Sequence, residues 1–126
     1  MWIWEQKHGV LRHDDDFVSF GYSGFGNGKN NPDMENLHDV GPIPKGRYTI
    51  ETIVDGNNNP IDYEHKKAPV FRLVPAESNE MFGRAGFLIH GDSISAPGTA
   101  SHGCVIENHL IRMQILESGD KELEVV

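Results

Sequence analysis

The chain has 126 residues, of which 24% are charged and 37% hydrophobic, and its formal charge is −8. That length supports one folded domain, residues 1–126, whose core needs neither disulfides nor a structural metal. The acid excess repels phosphate backbones and anionic lipid, which argues against nucleic acid as a partner and against docking on a membrane. No apolar stretch approaches the ~20 residues that insertion into a bilayer requires.

Short apolar runs separated by Gly, Pro, Asn and Asp predict a mainly β domain. Residues 2–5 and 9–12 read as an opening hairpin. Residues 17–22 alternate as a strand, with Val18, Phe20 and Tyr22 on one face. A glycine-rich loop over 24–31 ends at Pro32. Gly41-Pro42-Ile43-Pro44-Lys45-Gly46 forms a rigid turn into a strand over 47–54, and 55–59 is turn chemistry. Residues 70–74 read as a strand. Residues 85–89 form another, buried because it carries no polar side chain, and His90 closes it. Val105 and Ile106 continue from Cys104 as a short strand or the start of a helix. One helix is predicted over 108–117, where Leu110/Met113 and Ile111/Ile115 have the spacing of a helical face. Asn108 caps it and Gly119 stops it. Residues 122–126 form a closing strand. The expected architecture is a β-sandwich or partly open barrel with one short helix.

The single cysteine permits no internal disulfide, which fits synthesis in a reducing cytoplasm. Met1-Trp2-Ile3-Trp4-Glu5 is not a basic start followed by a long apolar run, so no classical signal peptide is expected.

Chemistry concentrates in Ile89-His90-Gly91-Asp92 and Ala100-Ser101-His102-Gly103-Cys104-Val105. A free thiol is only a few per cent thiolate at pH 7, and a neighbouring imidazole that takes its proton makes it a nucleophile. His90 closes an apolar strand, a rigid mount for such a base. The Gly-, Ser- and Pro-rich loop behind Asp92 is long enough to return Cys104 to that strand end. Gly103 permits a tight turn and the close approach of a substrate carbonyl. Amides of His102, Gly103 and Cys104 can then face a developing oxyanion, a donor set worth about 3–4 kcal/mol per key member. Ser101 can fix the turn or orient a histidine through its hydroxyl.

His90-Gly91, a loop, then Ser101-His102-Gly103-Cys104 resembles the active-site signature of the YkuD-type L,D-transpeptidases. The segment Gly41 to Ile50 resembles that family's proline–glycine turn into a core strand. Gly21-Tyr22-Ser23-Gly24 with Gly28-Lys29-Asn30-Asn31-Pro32 is similar to the short, toxin-like subgroup that bacteria deliver to rivals by type VI secretion. The resemblance implies an L,D-transpeptidase-like fold without a cofactor or metal, with Cys104 as nucleophile and His90 as base. The Gly91 carbonyl would orient the second ring nitrogen, and Ser101, His102 and Gly103 would support the loop and the oxyanion hole. Where many members carry Arg two residues past the cysteine, this chain has Ile106. The resemblance therefore leaves the substrate-carboxylate grip either lost or supplied by Arg84 or Arg112, with Tyr22, Ser23 and Asp92 as further substrate contacts.

As implied partners come peptidoglycan tetrapeptide stems, D-amino acids, a cognate immunity protein and a secretion apparatus. Such a protein is made in the cytoplasm and acts in the periplasm of a target bacterium, as an L,D-carboxypeptidase and D-amino-acid exchange enzyme. Two rival readings stand beside this one. A zinc amidase would ligate the metal through His90, Asp92 and His102, and a non-catalytic wall-binding module would grip stems without turnover.

Overall fold

The computed structural model describes residues 1–126. Nine strands and one helix follow in chain order: β1 Trp2–Glu5, β2 Val10–His13, β3 Asp16–Phe20, β4 Tyr22–Ser23, β5 Gly46–Thr52, β6 Phe71–Pro75, β7 Leu88–His90, β8 Val105–Ile106, α1 His109–Ser118 and β9 Glu122–Val125. The strands form one sheet in the order β3-β2-β1-β9-β5-β6-β7-β8-β4. Its two end strands, β3 and β4, are joined in the chain through Gly21 alone. The sheet therefore bends back toward itself into a nearly closed barrel, the mainly β architecture with one short helix that the sequence leads one to expect.

Period-two alternation builds the interior. Trp2 and Trp4 of β1, Tyr48 and Ile50 of β5, Phe71 and Leu73 of β6, and Leu123 and Val125 of β9 all point into one core. Ile111 and Ile115 of α1 close it, together with Ile89 and Val105. Full burial of each such side chain contributes about 1.5–3 kcal/mol. The helix has the predicted ends: the Asn108 side chain accepts from the Ile111 amide at 2.9 Å, and Gly119 terminates α1 with φ of 67°.

Three expectations are corrected. Residues 17–22 are not one strand, because the chain leaves β3 and crosses to the opposite sheet edge at Gly21. Phe17 and Phe20 are consequently exposed. Leu110 also faces solvent, so the buried face of α1 runs through Ile111, Arg112 and Ile115 instead. The strand predicted over 85–89 begins only at Leu88 and includes His90, since Gly86 adopts φ of 81°.

Candidate active site

β7 and β8 run parallel, with Ile89 opposite Val105 and His90 opposite Ile106. Ile89 and Val105 face the main core. Leu88 and Cys104 face the other way, into a second apolar cluster with Ile53 and Val70. Alternation then sets His90 and Cys104 on the same face of the sheet, with Cys104 one residue ahead of β8. The loop between the two strands brings Cys104 back beside β7, as its fourteen-residue separation from His90 allows.

His90 is buried, and its Nδ1 lies 2.8 Å from the Gly91 carbonyl. A carbonyl only accepts, so Nδ1 carries the proton and Nε2 keeps the free lone pair. Burial lowers the imidazole's pKa, against the opposing pull of the Gly91 carbonyl. Burial likewise pushes the Cys104 thiol up, with the Leu88 amide and the charges of Lys66 and Arg84 pulling it back. Both shifts favour the neutral pair at pH 7. No hydrogen bond joins Sγ to the ring in this resting arrangement, a contact that commonly tightens only when substrate is bound.

Ser101 is fully buried and ties the loop together through one hydroxyl. Its Oγ accepts from the Gly24 amide at 2.9 Å and the Gly103 amide at 3.1 Å, and donates to the Cys104 carbonyl. The Gly103 amide is thereby engaged, which leaves the His102 and Cys104 amides as the loop's open donors. Gly103 has φ of 139°, and a Cβ there would come within 2.7 Å of both Arg84 and Phe87. Gly91 is required for space, since a Cβ would lie 2.8 Å from Arg112.

The residues expected to contact substrate act mainly on the loop. Ser23 has no exposed surface; its hydroxyl donates to the Gly103 carbonyl at 2.8 Å and accepts from the Ile43 amide at 2.9 Å. It supports the loop from beneath and cannot touch a substrate. Tyr22 donates its hydroxyl to Asp92 at 2.6 Å and accepts from the Ala100 amide at 3.0 Å. Asp92 also accepts from the Ser93 and Gly98 amides, so this carboxylate organises the loop it belongs to. These bonds hold its pKa below the usual carboxylate range against the burial that would raise it. Lys29 lies over the Tyr22 ring, and Asn30 accepts from the Ser23 amide, so this stretch is a structural brace.

Both arginines are buried among carbonyls. Arg84 donates to the carbonyls of Glu35, Gly41, Pro42 and His102. Arg112 donates to those of Lys67, Pro69 and Glu107. Neither guanidinium retains the open fork that gripping a carboxylate end-on requires. They clamp the two flanks of the site.

Cys104 and His90 line separate cavities. Cys104 lines one of about 250 Å³ with Arg84, Phe87, His102, Gly103, His38 and Asp39. His90 lines another of about 770 Å³ with Gly91, Asp92, Lys66, Lys67 and Arg112. The ligand atoms of His90, Asp92 and His102 do not converge for a metal: the only such group within 4.8 Å of one another comes from His13, Asp14 and Asp120. His102 instead sets Nδ1 2.9 Å from the Asp39 carbonyl and stacks on Phe25. Sequence reasoning missed Lys66, His38 and Asp39, which come from loops with no motif of their own, and gave Phe87 only a place in a buried strand.

No curated protein matches the chain. The family model described as the Tlde1 domain matches residues 18–125, which includes β7, β8 and the whole loop between them, and the chain belongs to the Tlde1-domain family.

Proposed function

We propose that this protein is a cysteine-dependent enzyme of the L,D-transpeptidase type that acts on peptidoglycan tetrapeptide stems as a type VI secretion effector. The observation that carries the reading is the placement of His90 and Cys104 on one face of adjacent strands, with Nε2 of His90 left as the open base. Membership of the Tlde1-domain family supports the effector role.

The chemistry follows from that placement. Nε2 of His90 takes the Cys104 proton as Sγ attacks the carbonyl of the stem's third residue, a diamino acid. The His102 and Cys104 amides face the tetrahedral oxyanion. The C–N bond to the terminal D-alanine breaks, His90 returns the proton to the leaving amine, and a thioester remains. Water attacking that thioester gives L,D-carboxypeptidation, and a free D-amino acid gives exchange. Both remove the tetrapeptide donors that crosslinking needs, which makes the enzyme toxic in the periplasm. A cognate immunity protein is the partner this role requires.

Incubation with purified tetrapeptide muropeptides, with and without D-Met, tests the reading. The expected products are tripeptides and D-Met-exchanged stems, with Cys104→Ala producing neither. Periplasmic export of the wild type should arrest growth and export of Cys104→Ala should not. Crosslinked dimers as the sole product, or full toxicity of Cys104→Ala, would reject it. Intact mass after exposure to a carbapenem separates catalysis from mere wall binding, since only an enzyme becomes acylated at Cys104.

A further inference from the structure

The groove beside His90 is basic in a chain whose formal charge is −8. Its cations are not equivalent. Arg112 is fully committed to backbone carbonyls. Lys67 is exposed and reaches Asp62 at 3.4 Å. Lys66 is different: its side chain is only 26% exposed, and the one carboxylate near it, Glu64, stands 3.9 Å away and is itself exposed. A tight turn holds it there. The Tyr63 and Lys66 backbones exchange hydrogen bonds at 2.9 and 2.8 Å, and Glu64 and His65 between them are both left-handed, with φ of 47° and 67°. Tyr63 packs against the apolar cluster of Ile53, Val70 and Leu88, the same cluster that Cys104 touches. The turn is thus anchored to the floor of the site, and the Lys66 charge is felt by both Cys104 and His90.

The direction of proton transfer says what this charge meets. On the reading proposed above, on which this inference rests, the leaving amine must lie against Nε2 of His90 to receive its proton. One carbon separates that amine from the α-carboxylate of D-alanine. The carboxylate therefore enters the His90 groove. We propose that Lys66 is the carboxylate-reading residue of this site, pairing with the α-carboxylate of the departing D-alanine and, in exchange, of the incoming D-amino acid. In exchange the incoming amine forms a C–N bond to the acyl carbon as the C–S bond breaks, and its proton passes through His90 to restore the thiol. That amine occupies the place the leaving amine vacated, so the same ammonium meets its carboxylate. Water carries no carboxylate. Lys66 consequently governs how the thioester partitions between exchange and hydrolysis.

Two measurements on Lys66→Gln and Lys66→Arg test this, with Lys67→Gln as control. The first needs no turnover: alkylation of Cys104 by anionic iodoacetate is compared with alkylation by neutral iodoacetamide. Lys66→Gln should lower the iodoacetate-to-iodoacetamide rate ratio about three- to tenfold, with Lys66→Arg and Lys67→Gln near wild type. The second is exchange with D-Met against D-methioninamide at matched acyl-enzyme formation. Wild type should prefer the carboxylate, Lys66→Gln should lose that preference through KM for D-Met and shift product toward hydrolysed tripeptide, and Lys66→Arg should restore it. An unchanged alkylation ratio or an unchanged D-Met preference in Lys66→Gln overturns the inference. Wild-type protein that forms no acyl-enzyme from tetrapeptide overturns the parent reading and the substrate named here. Because the alkylation ratio is read without turnover, the two failures are told apart.

Discussion

A single hydroxyl at Ser101 stands between the β4 side of the barrel and Cys104. It satisfies two buried amides, those of Gly24 and Gly103, and holds the Cys104 carbonyl. Ser101→Ala leaves both donors unpaired in a fully buried place. The expected cost is about 2–3 kcal/mol of stability, the range for stranding buried donors, read by urea denaturation. Acylation should fall by more than the folded fraction does, because the loop that presents the His102 and Cys104 amides loses its anchor. The pair itself has a pH signature. His90 is shifted below its usual 6.5 by burial, so its base form persists on acidification and the acid limb of kcat/KM should have its midpoint below 6.5. The Cys104 thiol is shifted above its usual 9.0, so alkylation of the free enzyme by iodoacetamide should rise with a midpoint above 9.0. A resting thiolate–imidazolium pair would instead give pH-independent alkylation down to pH 5.

At the level of elements, the barrel depends on one backbone crossing. Gly21 sends the chain from β3 to β4, and a Cβ there would lie 2.3 Å from the Ile106 carbonyl oxygen and 2.4 Å from the Glu107 carboxylate. The first of these neighbours is backbone and cannot rotate away. Gly21→Ala should therefore cost about 1–3 kcal/mol, the range for overpacking, and displace β8 beneath Cys104, so that kcat drops even at temperatures where the variant is folded. Thermal melts paired with acylation rates check both halves. This crossing also shows where sequence reasoning stops. The helix was legible because its caps and its Ile111/Ile115 spacing are local, and so were β5, β6 and β9, whose alternation is local too. Phe17 to Tyr22 alternates equally well, yet nothing local says that it straddles the two edges of a sheet. The His-Gly and Ser-His-Gly-Cys strings made the candidate loop legible, because they flank one Gly-, Ser- and Pro-rich segment that can fold back on itself. Arg84 and Arg112 were misread since a guanidinium's residue type does not reveal that three or four carbonyls from distant turns will converge on it. The part proposed for Lys66 is equally hidden from the sequence, because it depends on the Tyr63–Lys66 turn that brings the ammonium to the His90 groove.

For the molecule as a whole, the same crossing stores a pH dependence. Glu107 follows β8, is 2% exposed, and accepts one hydrogen bond through Oε1, from Ser19 of β3 at 2.7 Å. Its Oε2 has no partner. Burial outweighs the Ser19 bond and pushes its pKa from 4.5 up to about 7. A carboxyl that holds its proton more tightly when folded stabilises the fold fully below pH 4.5, and that stabilisation is lost as pH rises through about 7. The difference amounts to at most about 3 kcal/mol at pH 8. Asp120 works in the opposite sense: the amino terminus bonded to it lowers its pKa to about 2, so its contribution is present above pH 3.8 and disappears as pH falls toward 2. The two together place maximal stability in mildly acidic solution, on the acid side of neutrality. Glu107→Gln keeps the shape and the Ser19 contact while removing the ionisable group. Urea unfolding at pH 5 should find the variant close to wild type, and at pH 8 it should find the variant the more stable of the two by a few kcal/mol. Equal stabilities at pH 8 would mean that the Glu107 carboxylate is already solvated at the barrel's seam, and that the sheet edges are less tightly closed there than Gly21 makes them.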